Sequence, residues 1–146
     1  MLKRYMVSLE LSSEVVSLKI LQRIVGKTNS LSVDTHKKGS AIAPWRRDGD
    51  RWKKSHISIY SKIEDDAEII EHFMFISDRL DLKRLSESIL ELNRPVDILL
   101  RIGVLYYTVD CTINIPPEMM QKLGECGASL EVSTYPCEDE SPDENT

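Results

Sequence analysis

The sequence predicts an α+β fold: an antiparallel, ferredoxin-like-derived sheet with helices packed on one face. Three observations carry that prediction. Residues 96–115 (VDILLRIGVLYYTVDCTINI) alternate apolar and polar side chains with the period of two that marks a half-buried strand. Residues 15–25 and 69–92 instead space their apolar residues as one face of a helix does. Strand-like and helix-like segments interleave in the order β-α-(β)-β-α-β-β-α-β, and each strand has one apolar side for helices to cover.

In chain order, residues 4–11 (RYMVSLEL) set Tyr5, Val7, Leu9 and Leu11 against Met6, Ser8 and Glu10, the pattern of a first strand. Ser12 or Ser13 stands where a helix N-cap belongs, apolar residues from Val15 to Val25 follow at helical spacing, and Gly26 is the natural stop. From Thr28 to Lys54 the pattern breaks down around Gly39, Pro44 and Gly49, with room for a short strand near Ile42. A connection of that length in a small domain is functional or partly disordered.

His56 to Ile63 reads as the next strand. Asp65 or Asp66 caps a helix carrying Ile69, Phe73, Ile76 and Leu80 on one stripe, with acids in its first turns as the helix dipole favours. A second helix or kinked continuation carries Leu82, Leu85, Ile89 and Leu92 and ends at Asn93 and Pro95. The stretch 96–115 then reads as two antiparallel strands with Gly103 as the turn or bulge between them. In the second strand Leu105, Tyr107, Val109, Cys111, Ile113 and Ile115 take the dry side. Pro116 and Pro117 open a short helix with Met119, Met120 and Leu123, and Ala128 to Tyr135 is a last strand.

At 146 residues the chain is one domain over 1–136, large enough to bury a core without staples. Residues 137–146 (CEDESPDENT) hold five acids and no base, the composition of a disordered tail. The net charge is −5, and removing the tail leaves 19 acids against 19 bases. No apolar run approaches the ~20 residues of a membrane span, and the N-terminus lacks the apolar core of a signal peptide. Three cysteines without metal spacing (Cys111, Cys126, Cys137) fit a reducing cytoplasm.

Several of these stretches are similar to an uncharacterised bacterial family, domain-of-unknown-function family four-two-seven-nine. The features are the opening strand and helix, Trp52 with Ser55 and Ser58 of the following strand, and His72 with Arg79 and Leu80. The ending Leu123-Gly124, then Gly127 to Tyr135, completes them. The likeness covers most of residues 4–136. It implies a small bacterial cytoplasmic α+β domain with no catalytic residue, and it points to the immunity proteins that neutralise toxins of competing bacteria.

The residues themselves advertise no enzyme. There is no HExxH, no CxxC and no histidine pair at helical spacing, so the sequence predicts no metal, no cofactor and no catalytic residue. Cys111 falls on an apolar strand face, and neither Cys126 nor Cys137 has a basic neighbour to activate it. Two binding surfaces stand out. Residues 36–54 carry seven bases against Asp48 and Asp50, and hold both tryptophans, Trp45 and Trp52, beside Arg46 and Arg47. Basic residues interleaved with aromatics suit an acidic protein partner or RNA. The second surface is the sheet face without helices, expected to collect Tyr60, Arg101, Tyr106, Asp110 and Tyr135.

These surfaces, without catalytic motifs, predict a non-catalytic binding protein, most simply an immunity protein that occludes a cognate toxin domain. An RNA-binding domain using residues 36–54 and the sheet tyrosines is the alternative. The chain is expected to be a monomer or homodimer.

Overall fold

A computed structural model describes residues 3–28, 31–47, 49–107 and 111–138. The order is β1 (Lys3–Ser13), α1 (Leu18–Val25), β2 (Ser32–His36), β3 (Ser55–Tyr60), α2 (Ile69–Arg79), α3 (Leu82–Leu92), β4 (Asp97–Tyr106), α4 (Pro117–Glu125) and β5 (Ser129–Pro136). The five strands form one sheet in the order β2-β3-β1-β4-β5. The α+β class and the helix-covered face agree with the sequence. β1 sits at the centre because its apolar side, Val7, Leu9 and Leu11, has a partner on each flank. Leu9 lies between Ile59 of β3 and Leu100 of β4.

That side is the core. Val7, Leu9, Leu11, Ile57, Ile59, Leu100, Ile102 and Val104 are buried with Leu21 and Ile24 of α1, Phe73 and Ile76 of α2, Leu85 of α3, and Met119 and Leu123 of α4. Burying each such side chain stabilises the fold by about 1.5–3 kcal/mol, so this layer decides which sheet face is dry.

Local chemistry sets the helix ends. The Ser17 hydroxyl accepts from the Ile20 amide at the start of α1, while the Ser13 hydroxyl accepts from Val15 and Val16 one turn earlier. The start is therefore later than Ser12 or Ser13. α2 likewise begins beyond Asp65 and Asp66. Glu68 and Glu71 form a capping box there, which satisfies amides at both positions. Asp81 caps α3 through the Arg84 amide, and Asn93 ends it in the left-handed conformation. Pro117 opens α4. With α2 and α3 separate, four helices cover the sheet rather than three segments.

The stretch 96–115 departs from the predicted hairpin. β4 runs unbroken through Gly103, which pairs with Met6 inside the β1 ladder. Residues 111–116 carry no strand, yet Cys111, Ile113 and Ile115 are half-buried against the core while Thr112 and Asn114 are exposed. An extended connection laid over the core produces the same alternation as a strand, because both put successive side chains on opposite sides. That connection continues through α4 to β5, and a crossover of this length permits parallel pairing. β5 accordingly runs parallel to β4, from Leu99↔Ser129 to Tyr106↔Pro136, and makes the sheet mixed rather than wholly antiparallel.

The segment after α1 also differs. A strand, β2, precedes the glycines, and the bridge near Ile42 is the single pair Ala41↔Arg51.

Candidate functional site

The sheet face without helices is set by strand parity. Its rows run across the strands. One row is Ser32, Tyr60, Ser8, Arg101 and Glu131. The next is Asp34, Ser58, Glu10, Leu99 and Ser129. Tyr135 lies further along, level with Leu105 and Arg4. Tyr60, Arg101 and Tyr135 therefore share this face as the sequence predicted. Tyr106 does not. The ladder continues through Gly103 without a turn, so Tyr106 falls on the same side as Val104, opposite Lys3. Asp110 lies outside the described residues.

Glu10 is the centre of this face and was not singled out from sequence. Its side chain is only 7% exposed although no helix covers it. Nε2 of His56 lies 3.1 Å from Oε1, and the Ser58 hydroxyl donates to the same oxygen at 3.2 Å. Arg101 reaches over from β4, with Nε 3.2 Å from Oε2 and Nη1 donating to Oε1 at 3.4 Å. The same Nε is 3.3 Å from Glu131 on β5. Burial pushes the Glu10 carboxyl up. The His56 hydrogen bond, the Arg101 charge and the Ser58 hydroxyl outweigh it and hold the group below the usual glutamate value. Glu10 thus stays an anion that clamps β3, β1 and β4 together.

His56 leads to the second half of the site. His36 is its cross-strand partner on β2. The rings of His36 and Trp52 stack at 4.0 Å and 17°, and His56 lies parallel to both at about 6 Å. Trp52 belongs to an arm that rises from the β2–β3 hairpin. Gly39 N–H donates to Trp52 C=O, Trp52 N–H to Ser40 C=O, and Ile42 N–H to Asp50 C=O. The segment that reads as irregular in sequence is thus a hydrogen-bonded ribbon. Its tip is a turn closed by Arg46 N–H on Ala43 C=O, and it holds Trp45, Arg46 and Arg47 in solvent. Trp45 is 82% exposed. Between arm and sheet lies a cleft of about 710 Å³, lined by Ile42, Asp50, Arg51, Trp52, Lys54 and His56 among others.

The Ser58 hydroxyl donates to the Glu10 carboxylate, which His56 and Arg101 also hold. Burial pushes the Cys126 thiol up, away from the thiolate form. Among the described residues no group of histidine, cysteine and acidic side chains is placed to hold a metal ion, and no helix is long and apolar enough to cross a membrane.

Cys137 pairs with Tyr106 C=O at the end of the outermost strand, whereas the arm springs from the opposite end of the sheet at the far edge. Cys137 and the base of the arm therefore lie at diagonally opposite corners of the sheet. In comparisons with known proteins, the chain matches no family model, no curated protein and no solved structure.

Proposed function

We propose that this chain is a non-catalytic binding protein that grips a protein partner with its arm and its open sheet face. The partner class we infer is a cognate toxin domain, occluded by this chain acting as an immunity protein in the cytoplasm. The observation that carries the binding reading is Trp45, a tryptophan held 82% exposed on a hydrogen-bonded turn and followed directly by two arginines. Exposed tryptophan and arginine are the residue types that dominate protein interfaces once a partner buries them. A fixed turn lowers the ordering cost of that contact.

Charge favours a protein over RNA. The arm tip is basic, but the sheet beside it presents Glu131, Asp34 and Asp97 around the buried Glu10, and Arg101 is already committed to two carboxylates. Lys54 is paired with Asp97 at 3.3 Å. A polyanion laid along this face would meet carboxylates, whereas a protein surface with an acidic patch for the arm and mixed charge elsewhere meets complements. The cleft lined by Arg51, Lys53, Lys54 and Trp52 is the feature that favours RNA.

The test is titration calorimetry against the product of the gene adjacent to that of this chain. The triple variant Trp45→Ala, Arg46→Ala, Arg47→Ala serves as control, and labelled single-stranded RNA is run in parallel at low salt. Binding to the protein that weakens at least about tenfold in the variant supports the proposal. Salt-sensitive RNA binding lost in the same variant would replace it with the RNA reading. No binding to either, with no protection of cells expressing the neighbouring gene, would end it.

A further inference from the structure

We propose that β5 is the contact through which two copies of this chain associate, edge to edge and antiparallel, into one continuous sheet. This does not depend on the partner proposed above. β5 closes the sheet on one side, and no strand pairs with its outer edge among the described residues. Exposed edges are normally blunted by brevity, a bulge, lysine or proline. β2, at the opposite edge, is five residues long and carries Asp34 and His36. β5 is eight residues long, keeps unbroken register with β4, has no lysine, and meets proline only at its last position.

The side chains along β5 fit a partner too. Leu130 and Val132 face the helix side, opposite Leu100 and Ile102, yet remain 40% and 37% exposed. Met120 of the neighbouring α4 is 59% exposed. A sheet that ended here by design would not leave an apolar row at its margin.

The second copy is specified by what a two-fold axis does to this strand. With the axis through Val132, Leu130 meets Thr134 of the other copy, Val132 meets its twin, and Glu131 meets Ser133. Every pair then joins side chains on the same face. Glu131, the one charge on the strand, opposes a neutral hydroxyl and keeps its contact with Arg101. Centring on Glu131 instead would set two carboxylates opposite each other, which is unfavourable. The dimer would carry its two arms at the outer edges and its two open faces on one side, so it presents the docking surface twice.

Sedimentation velocity on the full chain, under reducing conditions and over a roughly hundredfold concentration range, reads the association by mass action. Hydrogen exchange on the same samples reads where it occurs. The expected result is a concentration-dependent dimer in which amides 129–135 gain protection. In Val132→Lys, two lysines would face each other across the axis, and dimerisation should weaken at least about tenfold with far-UV dichroism unchanged. A monomer throughout, or a dimer unaffected by Val132→Lys, would overturn the proposal. Should that variant not fold, exchange in the unmodified chain decides, and β5 protection that ignores concentration would overturn it equally.

Discussion

His56 Nε2 and Glu10 Oε1 lie 3.1 Å apart on neighbouring strands of a sheet face that carries no helix. The pair joins the carboxylate at the sheet's centre to the His36–Trp52 stack at the base of the arm. A buried anion with three partners holds its neighbours in one geometry, and this one sets the positions of Arg101 and His56 on the candidate docking face. Side chains fixed in this way have less freedom to lose when a partner binds.

The first prediction follows from that carboxylate. Burial raises the Glu10 value, but His56, Arg101 and Ser58 outweigh it, so the folded value lies below the ordinary 4.5. A depressed acid contributes stability that is present above its unfolded value and is lost as pH falls through the folded value. Urea unfolding should therefore show stability dropping below about pH 4.5. Glu10→Gln should remove that part of the acid dependence and cost about 1–3 kcal/mol at neutral pH, because Arg101 and His56 lose the shared carboxylate charge and one acceptor oxygen gives way to an amide donor.

A second pH dependence sits at the other end of the sheet. His72 of α2 is 2% exposed, its Nδ1 is 2.8 Å from the Ser61 hydroxyl, and its Nε2 is buried without a hydrogen-bond partner. Burial pushes this imidazole below the ordinary 6.5, against the smaller opposing pull of Glu71 and Asp65. The neutral ring is the folded form. Its contribution is complete above 6.5 and is lost as pH falls towards the depressed folded value, at up to about 1.4 kcal/mol per pH unit. His72→Gln should flatten the dependence of melting temperature on pH just below 6.5 while leaving the glutamate-linked loss at lower pH in place.

What the sequence disclosed and what it hid divide along sequence distance. The stripe Ile69, Phe73, Ile76 and Leu80, the stop at Asn93 and the proline opening of α4 are local, and each is where the pattern puts it. Tyr60, Arg101 and Tyr135 share a face because strand parity is local too. Glu10 was invisible as a site because its partners Ser58 and Arg101 lie 48 and 91 residues away. Residues 36–54 stood out by charge and tryptophans, but their ribbon shape did not, because backbone hydrogen bonds and not an apolar rhythm hold it. The 105–115 rhythm misled because a core-hugging connection and a strand share a period of two.

Gly103 tests that last point directly, with Gly26 as its counterpart. Were Gly103 a turn, a side chain there would be harmful. It instead lies within the β1–β4 ladder with no left-handed backbone, and an added Cβ would meet Met6 Cε at 3.0 Å. That atom is the far end of a flexible side chain that is 53% exposed and free to swing aside. Glycine inside a strand costs about 0.5–1 kcal/mol relative to alanine, so Gly103→Ala should raise stability by up to about that amount. Gly26 ends α1 at a φ of 75°, and a Cβ there would press on Arg84 Nη2 at 3.0 Å. That nitrogen donates to the Ile24 and Val25 carbonyls, so it is not free to yield. Gly26→Ala should lower stability by about 1–3 kcal/mol through the positive-φ backbone alone, since φ 75° with ψ −147° is a region essentially reserved for glycine. Urea midpoints moving in opposite directions for the two variants are the expected outcome, and a loss at Gly103 equal to that at Gly26 would mean that position 103 is a turn after all.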